Sequence, residues 1–284
     1  MPPATERVVL FPGMNGGGEW GGAAIDPKTK VLYVNSNEIP YQLKLSPFKP
    51  ATVGEEIYQM RCQACHGANK EGSTMFGNVP ALTNVKDVLT RDEMLSIIKK
   101  GKGIMPSFSM LKPNEIESVV DFLRGIQTGS VKESNRNWPY PYVFDGYKIL
   151  LAPDNLPFIR PPWGQLTAID LNKAEIKWQI PLGNVDSLHI PGHPITGTMN
   201  YGGPVITAGG VLFIAATSDS KIRAYDMDTG KKLWEAKLPR AGFATPATYS
   251  VDGRQYLVIA SGGGKLDQKS GDYYVAYALK DDKK

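Results

Sequence analysis

The sequence predicts an all-β chain of propeller blades interrupted by a small all-α domain. Three observations carry that prediction: a repeated segment with an aspartate turn and a trailing tryptophan, short apolar strand pairs bounded by glycine turns, and a helical stretch between the first strands and the rest.

The repeat is clearest in "LTAIDLNKAEIKWQI" (166–180) and "IRAYDMDTGKKLWEA" (222–236). In each copy a Trp stands ten positions after the Ala of an Ala-x-Asp: Ala168, Asp170 and Trp178; Ala224, Asp226 and Trp234. The polar middle reads as a hairpin turn between two short strands. A weaker third copy is "AAIDPKTKVLYVNS" (23–36), whose turn starts at Asp26. Around these, "GGPVITAGGVLFIAAT" (202–217) is a strand pair about Ala208-Gly209-Gly210, and "TPATYSVDGRQYLVIASGGG" (245–264) another about Asp252-Gly253. With "DYYVAYAL" these give four strands over 202–237 and three over 245–279, the pattern of propeller blades. Trp178 and Trp234, at the repeat position, are expected to pack one blade on the next.

The earliest blade is split. Its first two strands, near 20–25 and 31–36, are separated from "WGQLTAIDLNKAEIKW" by over a hundred residues. Inside the gap the pattern is helical. Gly54, Tyr58 and Cys62 fall at i, i+4 and i+8; "TRDEMLSIIKKG" opens with a Thr90–Glu93 capping box and stops at Gly101. "PNEIESVVDFLRGI" starts at Pro113 and puts Ile116, Val119, Val120 and Leu123 on one face. Pro-rich joins, "YQLKLSPFKP" and "NWPYPYVFDG", flank the stretch. The expected organisation is therefore a propeller segment over 1–45, a helical domain over 51–129 and further blades over 143–284.

Composition narrows the function classes. Thirty glycines and 22 prolines suit a turn-rich β-protein. A net charge of +4 over 284 residues, scattered along the chain, argues against nucleic acid as a partner. No apolar run has the length of a membrane span. The opening "MPPATERVVLFPG" lacks the basic and apolar regions of a secretory signal.

Chemistry concentrates in "MRCQACHGANKEGS" (60–73), which holds both cysteines of the chain. Closing a loop this small, Cys62 and Cys65 would make a poor structural disulfide. Cys-x-x-Cys-His fits covalent haem attachment: two thiols one helical turn apart reach the two vinyl groups at one porphyrin edge, and His66 then lies beneath the iron. The rivals are a thioredoxin-like dithiol, whose βαβ context is missing, and a zinc site, which usually needs four ligands; His189 and His193 are remote in sequence. A second axial ligand stands in "GKGIMPSFSML" (101–111), where Met105 sits between a glycine turn and Pro106 in a loop able to lay a thioether on haem. Met60, Met75, Met94 and Met110 are read as core fillers.

Residues 51–128 resemble a class I cytochrome c domain, through "GEEIYQMRCQACHG", "VPAL", "GIMPSF" and the amphipathic helix that follows. The resemblance implies that Pro80 supplies the carbonyl that accepts from the His66 ring N–H.

The flanking segments resemble the bacterial quinoprotein dehydrogenases that use pyrroloquinoline quinone (PQQ), of the glucose/quinate/shikimate type. The matching stretches are "PGMNGGGEWGGAAIDPKTKVLYVNSNE", "PPWGQLTAIDLNKAEIKW", "GGPVITAGGVLFIAATSDSKIRAYDMDTGKKLWEAKLPRAGFATPATY" and "GRQYLVIASGGG" with "SGDYYVAYAL". That family's fold is a propeller of about eight blades, of which this chain holds about two and three-quarters. The resemblance implies upstream or partner-supplied blades carrying calcium ligands and the catalytic base, and a periplasmic location. It also implies oxidation of an alcohol or sugar hydroxyl with PQQ, electrons leaving through haem c to a respiratory partner. On the quinone side it points to Glu19, Trp20, Trp163 and Asn200, although relatives often carry an Asn at the position of Glu19; blade-packing aromatics are the competing reading of the two Trp residues. Gly264 stands where sugar-oxidising relatives carry a His, which speaks against glucose. The alternative function is a monohaem electron carrier on a β-scaffold that binds no quinone.

Overall fold

The computed structural model describes residues 3–14, 16–18, 21–73, 79–129, 139–266 and 268–279. In chain order the first strands are β1 (Val8–Leu10), β2 (Ala24–Ile25), β3 (Val31–Asn37), β4 (Tyr41–Leu43) and β5 (Leu45–Pro47). The helices follow: α1 (Val53–Arg61), α2 (Gln63–His66), α3 (Val85–Val88), α4 (Arg91–Lys100) and α5 (Pro113–Leu123). Next come β6 (Tyr142–Phe144), β7 (Lys148–Ile149), β8 (Gly164–Asp170), β9 (Glu175–Pro181), β10 (Val205–Ile206) and β11 (Val211–Ile214). The last strands are β12 (Lys221–Asp226), β13 (Lys232–Lys237), β14 (Ala247–Val251), β15 (Arg254–Ser261) and β16 (Tyr273–Ala278).

The chain divides into two compact units, 1–10 with 42–148 and 11–41 with 149–284. This partition differs from the expected segment boundaries: residues 1–10, read as blade, cluster with the helices. The reason is pairing. β1 lies beside β4 in the β1-β4-β7 sheet, and the Leu45 N–H donates to the Ala4 carbonyl. An antiparallel β5–β6 ladder, Leu45 to Phe144 through Pro47 to Tyr142, joins the two Pro-rich stretches.

In the helical unit α1 and α4 begin at side-chain caps. Thr52 accepts from the Glu55 N–H at the start of α1. Thr90 and Glu93 form the complete capping box of α4, and Gly101 ends that helix at φ 78°. Pro113 occupies the first turn of α5, where its missing N–H costs no helical bond. The faces these helices bury form one core of Ile57, Val85, Met94, Ile98, Ile116, Val119 and Val120. Of the methionines read as core fillers, Met94 is buried in this cluster and Met60 is half-buried, while Met75 lies outside the described residues. Met110 departs from the expectation: it is 75% exposed, because it sits in the turn ahead of α5 and Leu111 packs on the cluster instead.

The blade unit contains two four-stranded antiparallel sheets, β2-β3-β8-β9 and β10-β11-β12-β13, and a three-stranded one, β14-β15-β16. β3 pairs with β8 along seven residues, from Val31 opposite Asp170 to Asn37 opposite Gly164, although α1–α5 lie between them in sequence. Asp170 and Asp226 cap equivalent turns between third and fourth strands; Asp226 accepts from the Asp228 and Thr229 N–H groups, Asp170 from those of Asn172 and Lys173. Asp26 makes the same turn, bonded to the Lys28 N–H and the Thr29 hydroxyl, but between the first and second strands. The third copy of the repeat thus matches in turn chemistry and not in blade position.

The sheets pack through apolar faces. One cluster joins Val31, Tyr33, Leu166 and Ala168 to Leu212, Ile214, Tyr225 and Met227; a second joins Ala215, Ile222 and Leu238 to Leu257 and Ile259. Burying each Leu or Ile in such a face stabilises the fold by about 1.5–3 kcal/mol. Trp178 packs on the first cluster, its indole N–H donating to the Met227 carbonyl at 3.0 Å. Trp234 meets Tyr277 edge-on at 5.1 Å, so both repeat tryptophans bridge successive sheets as expected.

Candidate functional site

Cys62, Cys65 and His66 are brought together by one helical turn. The Cys62 N–H donates to the Tyr58 carbonyl, and the Cys65 and His66 N–H groups donate to the Cys62 carbonyl at 3.1 and 2.9 Å. Residues three and four apart on a helix are surface neighbours, so Cys62 shares a face with both Cys65 and His66. The Tyr58 hydroxyl donates to the Gly67 carbonyl at 2.7 Å and closes the turn behind them.

His66 is 8% exposed. Its Nδ1–H donates to the Pro80 carbonyl at 3.0 Å, which fixes the tautomer: Nε2 carries the lone pair and points away from Pro80. Burial lowers the His66 pKa, and the Pro80 bond opposes that shift. The loop that delivers Pro80 depends on Gly72, whose N–H donates to the His66 carbonyl at 2.9 Å. Gly72 has φ +76°, and a Cβ there would lie 2.8 Å from the Pro80 carbonyl carbon, so any side chain would push that acceptor away.

Both thiols are held protonated at neutral pH. Burial pushes Cys62 up to about 12, the neighbouring Cys65 adds to the rise, and Arg61 offsets part of it; Cys65 is raised by burial. A reactive dithiol needs a depressed pKa, so this pair is unlike a thioredoxin-type nucleophile. Among the described residues no group of three or more His, Cys, Asp or Glu side chains is gathered as a metal cluster, which leaves a zinc site without its ligands. What the turn does offer is two neighbouring thiols and a buried, neutral imidazole whose Nδ1 is already engaged.

Met105 is half-buried against the helical core, and its backbone is pinned by a two-way bridge with Lys102, N–H to carbonyl at 3.0 and 3.1 Å. It lies in a loop between α4 and α5, as its flanking Gly and Pro predict.

The quinone-side residues fare differently. Glu19 and Trp20 lie outside the described residues. Trp163 is 4% exposed and donates its indole N–H to the Ile159 carbonyl at 3.0 Å. Asn200 is fully buried: its Nδ2 donates to the Ser36 carbonyl, and its Oδ1 accepts from Asn35 at 2.6 Å. Its N–H donates to Asn37 Oδ1 at 2.8 Å. These bonds hold Asn200 between the loops of the first two sheets, while the Trp163 indole bonds within its own loop.

Sequence reasoning missed a second place. Gly21, Tyr201, Gly202, Phe243, Ala244, Thr245 and Lys265 line an open cavity of about 320 Å³. Its lining comes from four separate loops, and the one signal in the sequence is a glycine pair or triplet at three of them and a single Gly242 at the fourth, which permits close backbone approach.

Thiol pair and oriented imidazole on one side, and stacked antiparallel sheets on the other, define a blade protein combined with a c-type cytochrome motif. The chain belongs to the family of the PQQ-dependent glucose/ethanol/alcohol dehydrogenase β-propeller domain, whose family model matches residues 105–257. The model of the cbb3-type cytochrome c oxidase subunit III matches residues 49–123. The chain is 33% identical to a quinoprotein glucose dehydrogenase of Escherichia coli, over 100% of its own length and 28% of that protein. It is 29% identical to a quinate/shikimate dehydrogenase (quinone) of Acinetobacter baylyi, over 98% of its length and 27% of that protein. A quinohemoprotein alcohol dehydrogenase of Pseudomonas putida is 36% identical over 36% of the chain and 12% of that protein. The chain therefore spans less than a third of each of these relatives.

Proposed function

We propose that this chain is the electron-output portion of a quinohaemoprotein dehydrogenase, with haem c bound covalently by Cys62 and Cys65. On this reading the helices between β3 and β8 form an inserted all-α cytochrome c domain, and the sheets are two and three-quarter blades of a larger propeller. The observation that supports it best is the His66–Pro80 bond, because it leaves Nε2 as a pre-oriented metal ligand. Met105 would hold the iron through its thioether. When bound, the haem would take up and pass on one electron at a time. The chain's own part is to hold the imidazole neutral and keep its ring from rotating, and a thioether ligand would raise the potential.

The substrate is an alcohol or sugar hydroxyl oxidised with PQQ, and a respiratory acceptor on the outer side of the membrane receives the electrons. The calcium ligands and the general base belong to blades outside this chain. Trp163 and Asn200, with Glu19 and Trp20, stand on the quinone side in this reading, and no step is assigned to them.

The test is a pyridine haemochrome spectrum of the protein exported through a haem-attachment system. One covalent haem c is expected, and Cys62→Ala with Cys65→Ala abolishes it. Met105→Ala keeps the covalent haem but loses the weak long-wavelength sulfur-to-iron band. A protein that leaves the exporting host without porphyrin refutes the reading.

A further inference from the structure

Residues 144–148, which follow the helices in sequence, are fastened to the turn that carries Cys62, Cys65 and His66, and none of the roles assigned above uses them. Gln63, inside the Cys-x-x-Cys spacing, is polar yet 3% exposed, and its Nε2 donates to the Phe144 carbonyl at 2.8 Å. The Ala68 N–H donates to the Asp145 carbonyl at 3.2 Å. Gly146 has φ +105°, and a Cβ there would crowd the Gly67 Cα at 3.2 Å and the Gln63 carbonyl oxygen at 3.3 Å. The backbone of this returning strap therefore lies directly against the turn.

The strap also brings a charge. Lys148 Nζ stands 2.6 Å from Glu71 Oε1, while Glu71 Oε2 accepts from the Asn69 N–H at 2.9 Å. The carboxylate abuts the residue after His66: a Cβ at Gly67 would overlap it. Gly72, next to Glu71, donates its N–H to the His66 carbonyl at 2.9 Å, so the carboxylate sits within the loop that closes on the histidine. Burial raises the Glu71 pKa, but the Lys148 ammonium and the Glu71 and Asn69 N–H groups outweigh it, and the group lies below its usual 4.5. It is ionised at neutral pH. Both side chains are about a third exposed, 36% for Glu71 and 30% for Lys148, so solvent weakens their field without cancelling it.

A tight pair of opposite charges acts at a distance as a small dipole, whereas either charge alone acts in full. Ferric iron carries one more positive charge than ferrous iron. A lone carboxylate beside the site favours the ferric form and a lone ammonium the ferrous one.

We propose that Lys148 is a tuning residue for the haem: it neutralises the Glu71 carboxylate at the His66 turn and so keeps the reduction potential up. The proposal rests on the haem reading given under the proposed function.

The test is a redox titration of the full haem-loaded chain at low ionic strength, with the midpoint read from the haem spectrum. Lys148→Met is expected to lower the midpoint and Glu71→Gln to raise it. Each changes the ferric-to-ferrous ratio at a fixed potential by about threefold or more, as a unit charge does across partly solvated protein. The double variant returns near the parent, and Lys148→Arg, which keeps the charge, retains the parent midpoint. Lys148→Gln serves if the Met variant loses its helical circular dichroism. A pair that only holds the loop in place would shift both single variants in the same direction and the double variant no less. Shifts of one sign, an unmoved midpoint, or a double variant no nearer the parent than the single ones overturns the proposal. A pyridine haemochrome on the same samples separates the two readings. Covalent haem with an unmoved midpoint refutes the tuning alone, and a parent chain exported without porphyrin refutes both.

Discussion

The helical unit and the blade unit hold their cores by different means. The helical core draws on residues 57 to 120 of one continuous stretch, and every long helix in it starts at a cap that its own sequence supplies. The blade core unites side chains from strands as distant as β3 and β12, and its sheets are stitched by polar groups that are fully buried. Within the β10-β11-β12-β13 sheet Arg223, 4% exposed, binds Asp219 and Glu235 through its guanidinium and donates to the Thr217 hydroxyl at 3.1 Å. A core built from local pieces loses stability in small increments. A core tied by buried charge loses it in one step.

That contrast can be broken by measurement, since the helical stretch 51–129 holds none of the five tryptophans. Four of the five tryptophans belong to the blade unit, so tryptophan fluorescence reports mainly the blades, and circular dichroism at helical wavelengths reports the other unit. The largest expected effect is Arg223→Met, which strands the Asp219 carboxylate in the interior and destabilises the blade transition by about 3–5 kcal/mol in urea. If that variant shifts the fluorescence midpoint no more than a surface substitution does, the buried pair is not what ties the sheets. Ile57→Ala opens a cavity in the helical core and costs about 2–5 kcal/mol, read on the helical transition.

Thr90→Ala removes the α4 cap and costs about 1 kcal/mol on the same transition, a value near zero showing that the cap is redundant. The smallest effect belongs to the exposed aspartate turns. The Asp226 carboxyl is held below its usual 3.8 first by the Thr229 hydroxyl and then by the Thr229 N–H, and Asp26 is lowered by the Lys28 N–H and the Thr29 hydroxyl. A lowered folded pKa means stability that is present above 3.8 and is lost as pH falls through the folded value. Blade stability should therefore decline slightly below pH 3.8, and Thr229→Val should make that decline smaller.

The haem-type motif was legible because its chemistry is local. Cys62, Cys65 and His66 need only one helical turn to meet, and the Pro80 acceptor was implied by likeness to cytochrome c. The blade pairings were legible through the Ala-x-Asp and Trp repeat, since a hairpin turn and the strands beside it are short-range. What lies opposite a residue was not legible in the same way. Met110 was placed in the core because a methionine beside apolar residues often is, but its turn faces outward. The partners of Asn200, Asn35 and Asn37, lie on a strand far from it in sequence, whereas the Trp163 indole bonds within its own loop, to Ile159.

From its residue order alone, this chain dictated its caps, its turns, its strand alternation and the cysteine pair, because each rests on contacts within a few residues. Which strands would lie side by side across the helical stretch, where Asn200 would direct its amide, and that four loops would enclose Lys265 against Tyr201 emerged only on folding. Those outcomes depend on the steric and hydrogen-bonding fit of groups far apart along the backbone, and no short window of sequence contains both partners.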